Sequence, residues 1–90
     1  MMQILYFTSS TCTPCKKFLP TVLDIQSELN IGLKILSKDT HNTVFDKYTV
    51  LSVPTIVVTA NNSPVWSHTG TKTYRELLDK LTELKEKYGH

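Results

Sequence analysis

Two cysteines are the residues of this sequence with the clearest capacity for chemistry. Cys12 and Cys15 are its two cysteines, and they enclose Thr13 and Pro14. A disulfide between them would close a very short loop and would remove little entropy from the unfolded chain. In a reducing compartment, this spacing favours redox chemistry or metal binding over a disulfide that serves stability.

The position of the pair in the chain favours redox chemistry. The cysteines follow an apolar segment at residues 4–7 and precede a helical pattern that begins at Pro14. Free N–H groups and the positive end of the helix dipole stabilise an anion at such a junction, so we expect a Cys12 thiol pKa within about 3.5–7.5. Cys15 belongs to the apolar face of the helix and should be buried. The pattern therefore predicts that Cys12 is the nucleophile and Cys15 the resolving thiol.

Two other interpretations of the pair remain open at this point. Two buried cysteines without chemistry would leave their placement at a helix start unexplained. A zinc site needs four ligands. The other candidate ligands are His41, His68 and His90, and none of them has a paired spacing. The sequence therefore predicts no bound metal.

Hydrophobic periodicity predicts the elements that must position the cysteines. Apolar runs predict strands at residues 4–7, 33–36, 55–59 and 65–68. The predicted fold class is α/β in the order β-α-β-α-β-β-α, with a central four-stranded mixed sheet flanked by helices. Its first two strands should pair in parallel and its last two antiparallel. The helices are predicted from Pro14 to about Asn30, from a cap at Asp39 or Thr40 to about Tyr48, and from a capping box at Thr73 and Glu76 onward.

Length, charge and hydropathy limit the possible classes of protein. The 90 residues fit one domain, residues 1–90. A net charge of +2 with scattered basic residues does not indicate binding to nucleic acid or to an anionic membrane. No apolar run approaches the roughly 20 residues that span a bilayer, and no signal-peptide pattern is visible. We therefore expect a cytoplasmic monomer without nucleic-acid or membrane partners.

Four features of the sequence together resemble the thioredoxin and glutaredoxin superfamily. The segment CTPCK at residues 12–16 resembles the thioredoxin active-site motif, and Pro20 falls where thioredoxins place a helix-kinking proline. The segment VPT at residues 53–55 resembles the cis-proline segment of the family. Gly70 falls at the spacing of the glycine that follows the central hairpin. The resemblance extends from about residue 3 to residue 88 and implies a thioredoxin fold.

The resemblance also implies where a substrate binds. By the family pattern, Pro54 would be cis and would lie beside the two cysteines. Proline lacks a backbone N–H, so the backbone of Val53 would be free to pair with an extended substrate segment. The residues implied in substrate binding are Thr11, Thr13, Pro14, Val53, Pro54 and Gly70.

Several positions depart from the thioredoxin pattern. Thr13 stands where thioredoxins usually carry glycine, and Thr11 replaces the tryptophan that usually precedes the first cysteine. By spacing, the buried acid of the family falls at Tyr6 and its companion lysine at about Ile35. The proton-relay pair of the family is therefore absent, and deprotonation of Cys15 would depend on water or on Tyr6.

Comparison with glutaredoxins leaves the electron donor open. The chain begins directly with the first core strand, which is glutaredoxin-like. Glutaredoxins tend to carry a Gly-Gly and acidic pattern after the hairpin, whereas residues 69–72 read TGTK, with one glycine and no acid. Lys16, Lys17 and Lys72 could attract a glutathione carboxylate, but solvated surface lysines are the simpler explanation.

The function that the resemblance implies is thiol-disulfide oxidoreduction without a bound cofactor. The protein would reduce disulfides of proteins, and would take part in electron transport and cell redox homeostasis. A flavin-dependent thioredoxin reductase or glutathione would then reduce it again. The alternatives are a glutaredoxin-type glutathione-dependent enzyme and a non-catalytic module that binds a partner protein through the Pro54 face. The electron donor separates the two enzymes, and replacement of Cys12 by serine separates both from the binding module.

Overall fold

A computed structural model of the chain describes residues 1–89 and contains seven helices and strands. They follow the predicted order, so the α/β class and the element order are confirmed. In chain order they are β1 (Met2–Thr8), α1 (Thr13–Leu29), β2 (Gly32–Ser37), α2 (Lys38–Lys47), β3 (Thr55–Ala60), β4 (Ser63–Thr69) and α3 (Tyr74–Tyr88).

The four strands form one mixed sheet in the order β2-β1-β3-β4. β1 runs parallel to β2 and antiparallel to β3, and β3 pairs antiparallel with β4. Both predicted pairings are therefore present. Tyr6 lies opposite Ile35 on one side and Ile56 on the other, so β1 is an inner strand. The loop that carries Cys12 leaves the end of this well-supported strand.

One face of the sheet is covered by α1 and α3. Alternate residues of a strand point to opposite faces, and here Ile4 and Tyr6 point toward these two helices. The apolar stripe predicted for α3 is buried through Leu77, Leu81 and Leu84. The other buried members of this cluster are Met2, Phe18, Val22, Ile25, Ile31, Ile56 and Val58. The face toward which Cys15 points is thus a continuous apolar core.

The opposite face of the sheet is covered by α2, a helix of 10 residues. Phe45 of α2 meets Phe7 edge to face, with ring centroids 4.9 Å apart. Leu5, Leu36 and Val57 complete the buried part of this second cluster. Farther from the cysteine loop the same face becomes polar. A cavity of about 610 Å³ lies there, and its lining includes Gln3, Lys34, His41, Lys47 and Thr59.

The helix ends follow local capping chemistry, with one correction to the sequence-based expectation. The capping box predicted at Thr73 and Glu76 is present at the start of α3. The cap of α2 is Ser37, and neither Asp39 nor Thr40 as predicted. The Ser37 hydroxyl accepts a hydrogen bond from the Asp39 N–H at 3.3 Å. Because β2 runs directly into α2, the last strand residue is already extended and placed to cap the helix.

The first helix is long enough to connect the cysteine loop to the far end of the core. It continues through Pro20 and ends at Asn30, which adopts a left-handed conformation. The Lys85 ammonium of α3 donates to the carbonyl oxygen of Leu29 and so satisfies one of the free groups at this end. None of the helices within residues 1–89 has the length and apolar character that crossing a lipid bilayer requires.

Candidate active site around Cys12 and Cys15

The two cysteines lie at the start of α1 and are joined by a disulfide. The S–S distance is 2.10 Å and the Cα–Cα distance 5.3 Å. Cys12 is the N-cap residue of α1 and has an extended backbone, whereas Cys15 lies in the first turn of the helix. A two-residue spacing at a helix start therefore brings both sulfur atoms together.

The two cysteine residues differ in their exposure to solvent. Cys12 is partly exposed, whereas Cys15 has a relative exposure of 1%. The N–H group of Cys15 donates to Sγ of Cys12 at 3.2 Å, as a helix N-terminus does to an anionic cap. The predicted burial of Cys15 is confirmed. The assignment of Cys12 as nucleophile and Cys15 as resolving thiol stays a prediction.

Tyr6 supports the disulfide from the core. Its side chain is fully buried, and its hydroxyl donates to the carbonyl oxygen of Cys15 at 2.6 Å. Burial raises the pKa of Tyr6 from its usual value of 10.0 to about 12. The phenol therefore stays protonated at neutral pH, and its proton points to a backbone carbonyl and not to a sulfur atom. We infer that Tyr6 holds the first turn of α1 in place and is not the base that deprotonates Cys15.

The Tyr6→Phe variant tests this role through the pH dependence of stability. An unfolded tyrosine ionises near pH 10, whereas folded Tyr6 ionises near 12, so the unfolded chain binds fewer protons between these values. The free energy of unfolding should therefore fall as the pH rises from about 10 to about 12, and it should fall less steeply in the variant. At neutral pH we expect a loss of about 1 kcal/mol, since one hydrogen bond is removed. Chemical denaturation at a series of pH values measures both effects.

A matched control for this variant is Tyr74→Phe. Tyr74 is 44% exposed, so its replacement should leave the alkaline limb of the stability profile unchanged. Equal alkaline limbs for wild type and Tyr6→Phe would contradict the raised pKa.

The position opposite Tyr6 on strand β2 holds an apolar residue. Ile35 is 46% exposed on the edge strand β2 and pairs with Tyr6 in the register of the sheet. No carboxyl and no ammonium group therefore takes the two places at which the resemblance puts a proton-relay pair.

The Pro54 segment has the cis conformation that the resemblance implies, and it contacts the Gly70 loop. The Val53–Pro54 peptide bond is cis. The carbonyl oxygen of Pro54 accepts a hydrogen bond from the Gly70 N–H at 2.8 Å. Gly70 has a φ of 98°, a backbone conformation that side chains of L-residues disfavour. A second hydrogen bond spans Val53 and Pro54, because the Thr55 hydroxyl donates to the Ser52 carbonyl at 2.7 Å.

Two cavities lie on the two sides of Cys12. The first, the Lys72 groove, has a volume of about 410 Å³ and is lined by Thr13, Pro14, Lys17, Phe18, Thr21, Thr71 and Lys72. The second, the Asp39 cavity, measures about 300 Å³ and is lined by Ser9, Thr11, Lys38, Asp39, Phe45, Val50, Leu51, Ser52 and Val53. The structure thus brings Thr13 and Pro14 together with the residues after Gly70. It brings Thr11 together with Val53. Roles in substrate binding for these residues remain predictions.

Asp39 lies beside the cysteine loop, although the sequence predicted it only as a possible cap of the second helix. Its carboxylate accepts hydrogen bonds from the Ser10 N–H and from the Ser37 hydroxyl, each at 3.2 Å. Hydrogen bonds from Ser10 and Ser37 hold the pKa of this carboxyl below its usual value. Asp39 therefore ties the loop before Cys12 to the start of α2. No pattern in the sequence signals this contact, because Ser10 and Asp39 are 29 residues apart.

Neither His41 nor His68 forms a metal site with the cysteines. Within residues 1–89, no group of three or more His, Cys, Asp or Glu side chains is placed to hold a metal ion. Nδ1 of His41 lies 2.8 Å from the Thr40 hydroxyl, and the His68 ring stacks on Trp66 with centroids 6.1 Å apart. The third candidate, His90, lies outside the described residues.

Comparison with known proteins relates this geometry to one family. The model of the thioredoxin family matches residues 1–83. No curated protein matches the sequence significantly. Among solved structures, thioredoxin 1 from Thermosipho africanus superposes with a TM-score of 0.86 at 18% identity, over 98% of this chain and 99% of that one. Thioredoxin from Trypanosoma brucei brucei has a TM-score of 0.86 at 21% identity, over 96% and 76%. Fasciola hepatica thioredoxin has a TM-score of 0.79 at 22% identity, over 97% and 80%.

Proposed function

The chain belongs to the thioredoxin family, and from that premise we propose that it reduces disulfides of other proteins through Cys12 and Cys15. The family and the cysteine pair together support the assignment of the protein as a thiol-disulfide oxidoreductase. The observation that carries the finer proposal is the unequal exposure of the two cysteine residues at the start of α1. Cys12 is partly exposed and can reach a substrate, whereas Cys15, with a relative exposure of 1%, can react only with a partner already bound beside it.

The first step is attack by Cys12 on the substrate disulfide. In the dithiol form, the thiolate of Cys12 attacks one of the two substrate sulfur atoms. A bond forms between Cys12 and that sulfur while the substrate S–S bond breaks, and the other substrate sulfur leaves as a thiolate that takes up a proton. The free N–H groups at the start of α1 stabilise the attacking thiolate, which raises its fraction at neutral pH.

The second step is resolution by Cys15. Its thiol loses a proton to solvent and attacks Sγ of Cys12, which forms the intramolecular disulfide. The bond between Cys12 and the substrate breaks, and the second substrate sulfur leaves as a thiol after protonation. Two electrons have then passed from the protein to the substrate. The residues between the cysteines, Thr13 and Pro14, set how stable the product disulfide is.

Substrate contacts are proposed along the rim between the two cavities. The backbone of Val53 is half-buried at the edge of the Asp39 cavity and precedes cis Pro54, so it could pair with an extended substrate segment. Thr11 and Thr13 flank Cys12 and would contact the substrate on either side of the reacting sulfur. Gly70 would act indirectly, since its N–H holds the carbonyl of Pro54.

Recycling of the oxidised protein needs an external donor of two electrons. We propose a flavin-dependent thioredoxin reductase or two molecules of glutathione as that donor, in a reducing compartment such as the cytoplasm. Either donor reverses the steps above and leaves Cys12 and Cys15 as thiols. The protein itself then needs no bound cofactor for the exchange.

Reduction of insulin disulfides tests the proposal. The purified protein is supplied with NADPH and either thioredoxin reductase or glutathione with glutathione reductase, and the oxidation of NADPH is followed. We expect protein-dependent turnover with at least one donor. Turnover with the flavin reductase would identify a thioredoxin, whereas turnover with glutathione alone would identify a glutaredoxin-type enzyme. Absence of turnover with both donors, from protein whose disulfide is reducible by dithiothreitol, would overturn the proposed activity in favour of a binding module.

A further inference from the structure

We propose that the protein prefers disulfides flanked by acidic residues, and that the Lys72 groove binds those residues. This inference rests on the proposed function and names the substrate class of the same site. The groove has a volume of about 410 Å³, and its two charged side chains are the ammonium groups of Lys17 and Lys72. A peptide segment with carboxylates complements this surface, whereas a segment with ammonium groups would be repelled.

The groove borders the segment that joins the two reacting cysteines. Two of its lining residues, Thr13 and Pro14, separate Cys12 from Cys15. A substrate chain that is covalently held on Cys12 therefore comes close to the groove on the side of Thr13, whereas the Asp39 cavity lies on the side of Thr11. The position of the groove makes its charge relevant to the rate at which substrate approaches Cys12.

The wall of the groove that faces α1 is held in place by the rest of the fold. Thr71 and Lys72 belong to the segment between β4 and α3. Gly70, directly before them, donates its N–H to the Pro54 carbonyl, and Thr73, directly after them, caps α3. The ammonium group of Lys72 is thus carried on a short segment that is fixed at both ends.

The lining combines charge with hydrogen-bond donors and a small apolar floor. Thr13, Thr21 and Thr71 supply hydroxyl groups, and Phe18 lies at the base. No carboxylate belongs to the lining. Glu76 lies outside the lining and interacts electrostatically with Lys72, so it offsets part of the charge of that ammonium group. Because the lining itself holds two ammonium groups and no carboxylate, the groove still presents an excess of positive charge to an incoming segment.

The cavity on the other side of Cys12 lacks this excess of positive charge. Its charged lining residues are one ammonium, Lys38, and one carboxylate, Asp39. The Asp39 carboxylate would repel acidic residues of a substrate. The two sides of Cys12 thus differ in charge, and the difference favours acidic residues on the Lys72 side.

Three synthetic peptides test the preference. Each carries the same single intramolecular disulfide, and the residues that flank the cysteines are glutamate, glutamine or lysine. The pre-reduced protein is mixed with each peptide, and the second-order rate constant of peptide thiol release is measured without any reductase. At an ionic strength of about 20 mM we expect the glutamate peptide to react about tenfold faster than the lysine peptide. Salt at about 0.5 M should bring this ratio close to one.

Two charge-matched double variants locate the effect on the protein. Lys17→Gln with Lys72→Gln should reduce the glutamate-to-lysine ratio to about twofold or less. Lys34→Gln with Lys47→Gln removes the same charge from the cavity on the sheet face that α2 covers and should leave the ratio at about tenfold. If both double variants lower the ratio equally, the net charge of the protein and not the groove is responsible, and the inference is wrong.

The outcomes separate this inference from the proposed function. Equal rates for the three peptides at low ionic strength would overturn the acidic preference while leaving disulfide reduction intact. Failure to reduce any of the peptides would overturn the proposed function and the preference with it.

Discussion

Replacement of Cys12 by serine is expected to abolish disulfide reduction, with a rate at least about a thousandfold below that of the wild type. A serine hydroxyl is not ionised at neutral pH and cannot form the mixed disulfide. Cys15 cannot take over the attack, because its relative exposure is 1% and it belongs to the buried residues of α1. The effect should therefore be close to complete.

The Cys12→Ser variant should nevertheless fold. Serine is a favourable N-cap residue, and its hydroxyl can accept the Cys15 N–H that now donates to Sγ of Cys12. The lost disulfide spans a sequence separation of 3 and contributes little to stability through the entropy of the unfolded chain. Circular dichroism should show an unchanged fold, and iodoacetamide should modify the remaining thiol slowly until denaturant is added. Retention of more than about a tenth of the wild-type rate would contradict the assignment of Cys12 as nucleophile.

Replacement of Cys15 by serine is expected to arrest the reaction at the mixed disulfide. Cys12 can still attack a substrate, but no second thiol lies beside it to break the new bond. A covalent complex with one substrate chain per protein should therefore accumulate on non-reducing gels and disappear on treatment with dithiothreitol. Multiple turnover with a flavin reductase should fall by about a hundredfold or more, because release then depends on thiols from solution.

Two further variants make this result interpretable. Cys15→Ala removes the same thiol without placing a hydroxyl in the apolar core, so it should trap the same complex if the fold is retained. The double variant with Cys12→Ser and Cys15→Ser should form no complex. Rapid turnover of Cys15→Ser in the presence of glutathione would show that glutathione resolves the mixed disulfide, which would assign the protein to the glutaredoxin-type alternative. A complex that forms on Cys15 in the Cys12→Ser variant would reverse the roles of the two cysteines.

The sequence by itself determined the order of the elements and the location of the reactive pair. Periodicity predicted all seven helices and strands, including the buried Leu77, Leu81 and Leu84 of α3. It also placed Cys12 at a helix start and Cys15 on the buried face. These properties are local, because the alternation of apolar residues and the chemistry of a helix cap depend on residues that are neighbours in the chain. The cis form of the bond before Pro54 required the family resemblance in addition, since a proline in the sequence is compatible with both isomers.

Tertiary structure alone decided what surrounds the sulfur atoms. The hydrogen bond from Tyr6 to the Cys15 carbonyl and the contact of Asp39 with Ser10 join segments that are 9 and 29 residues apart. The N-cap residue of α2 is Ser37, and not Asp39 or Thr40 as predicted, because β2 continues directly into the helix. The Lys72 groove likewise forms between α1 and the segment before α3, and its lining residues on the two sides lie at least 50 residues apart in sequence. No local pattern encodes such contacts, because they depend on how the strands place the ends of distant elements at one edge of the sheet.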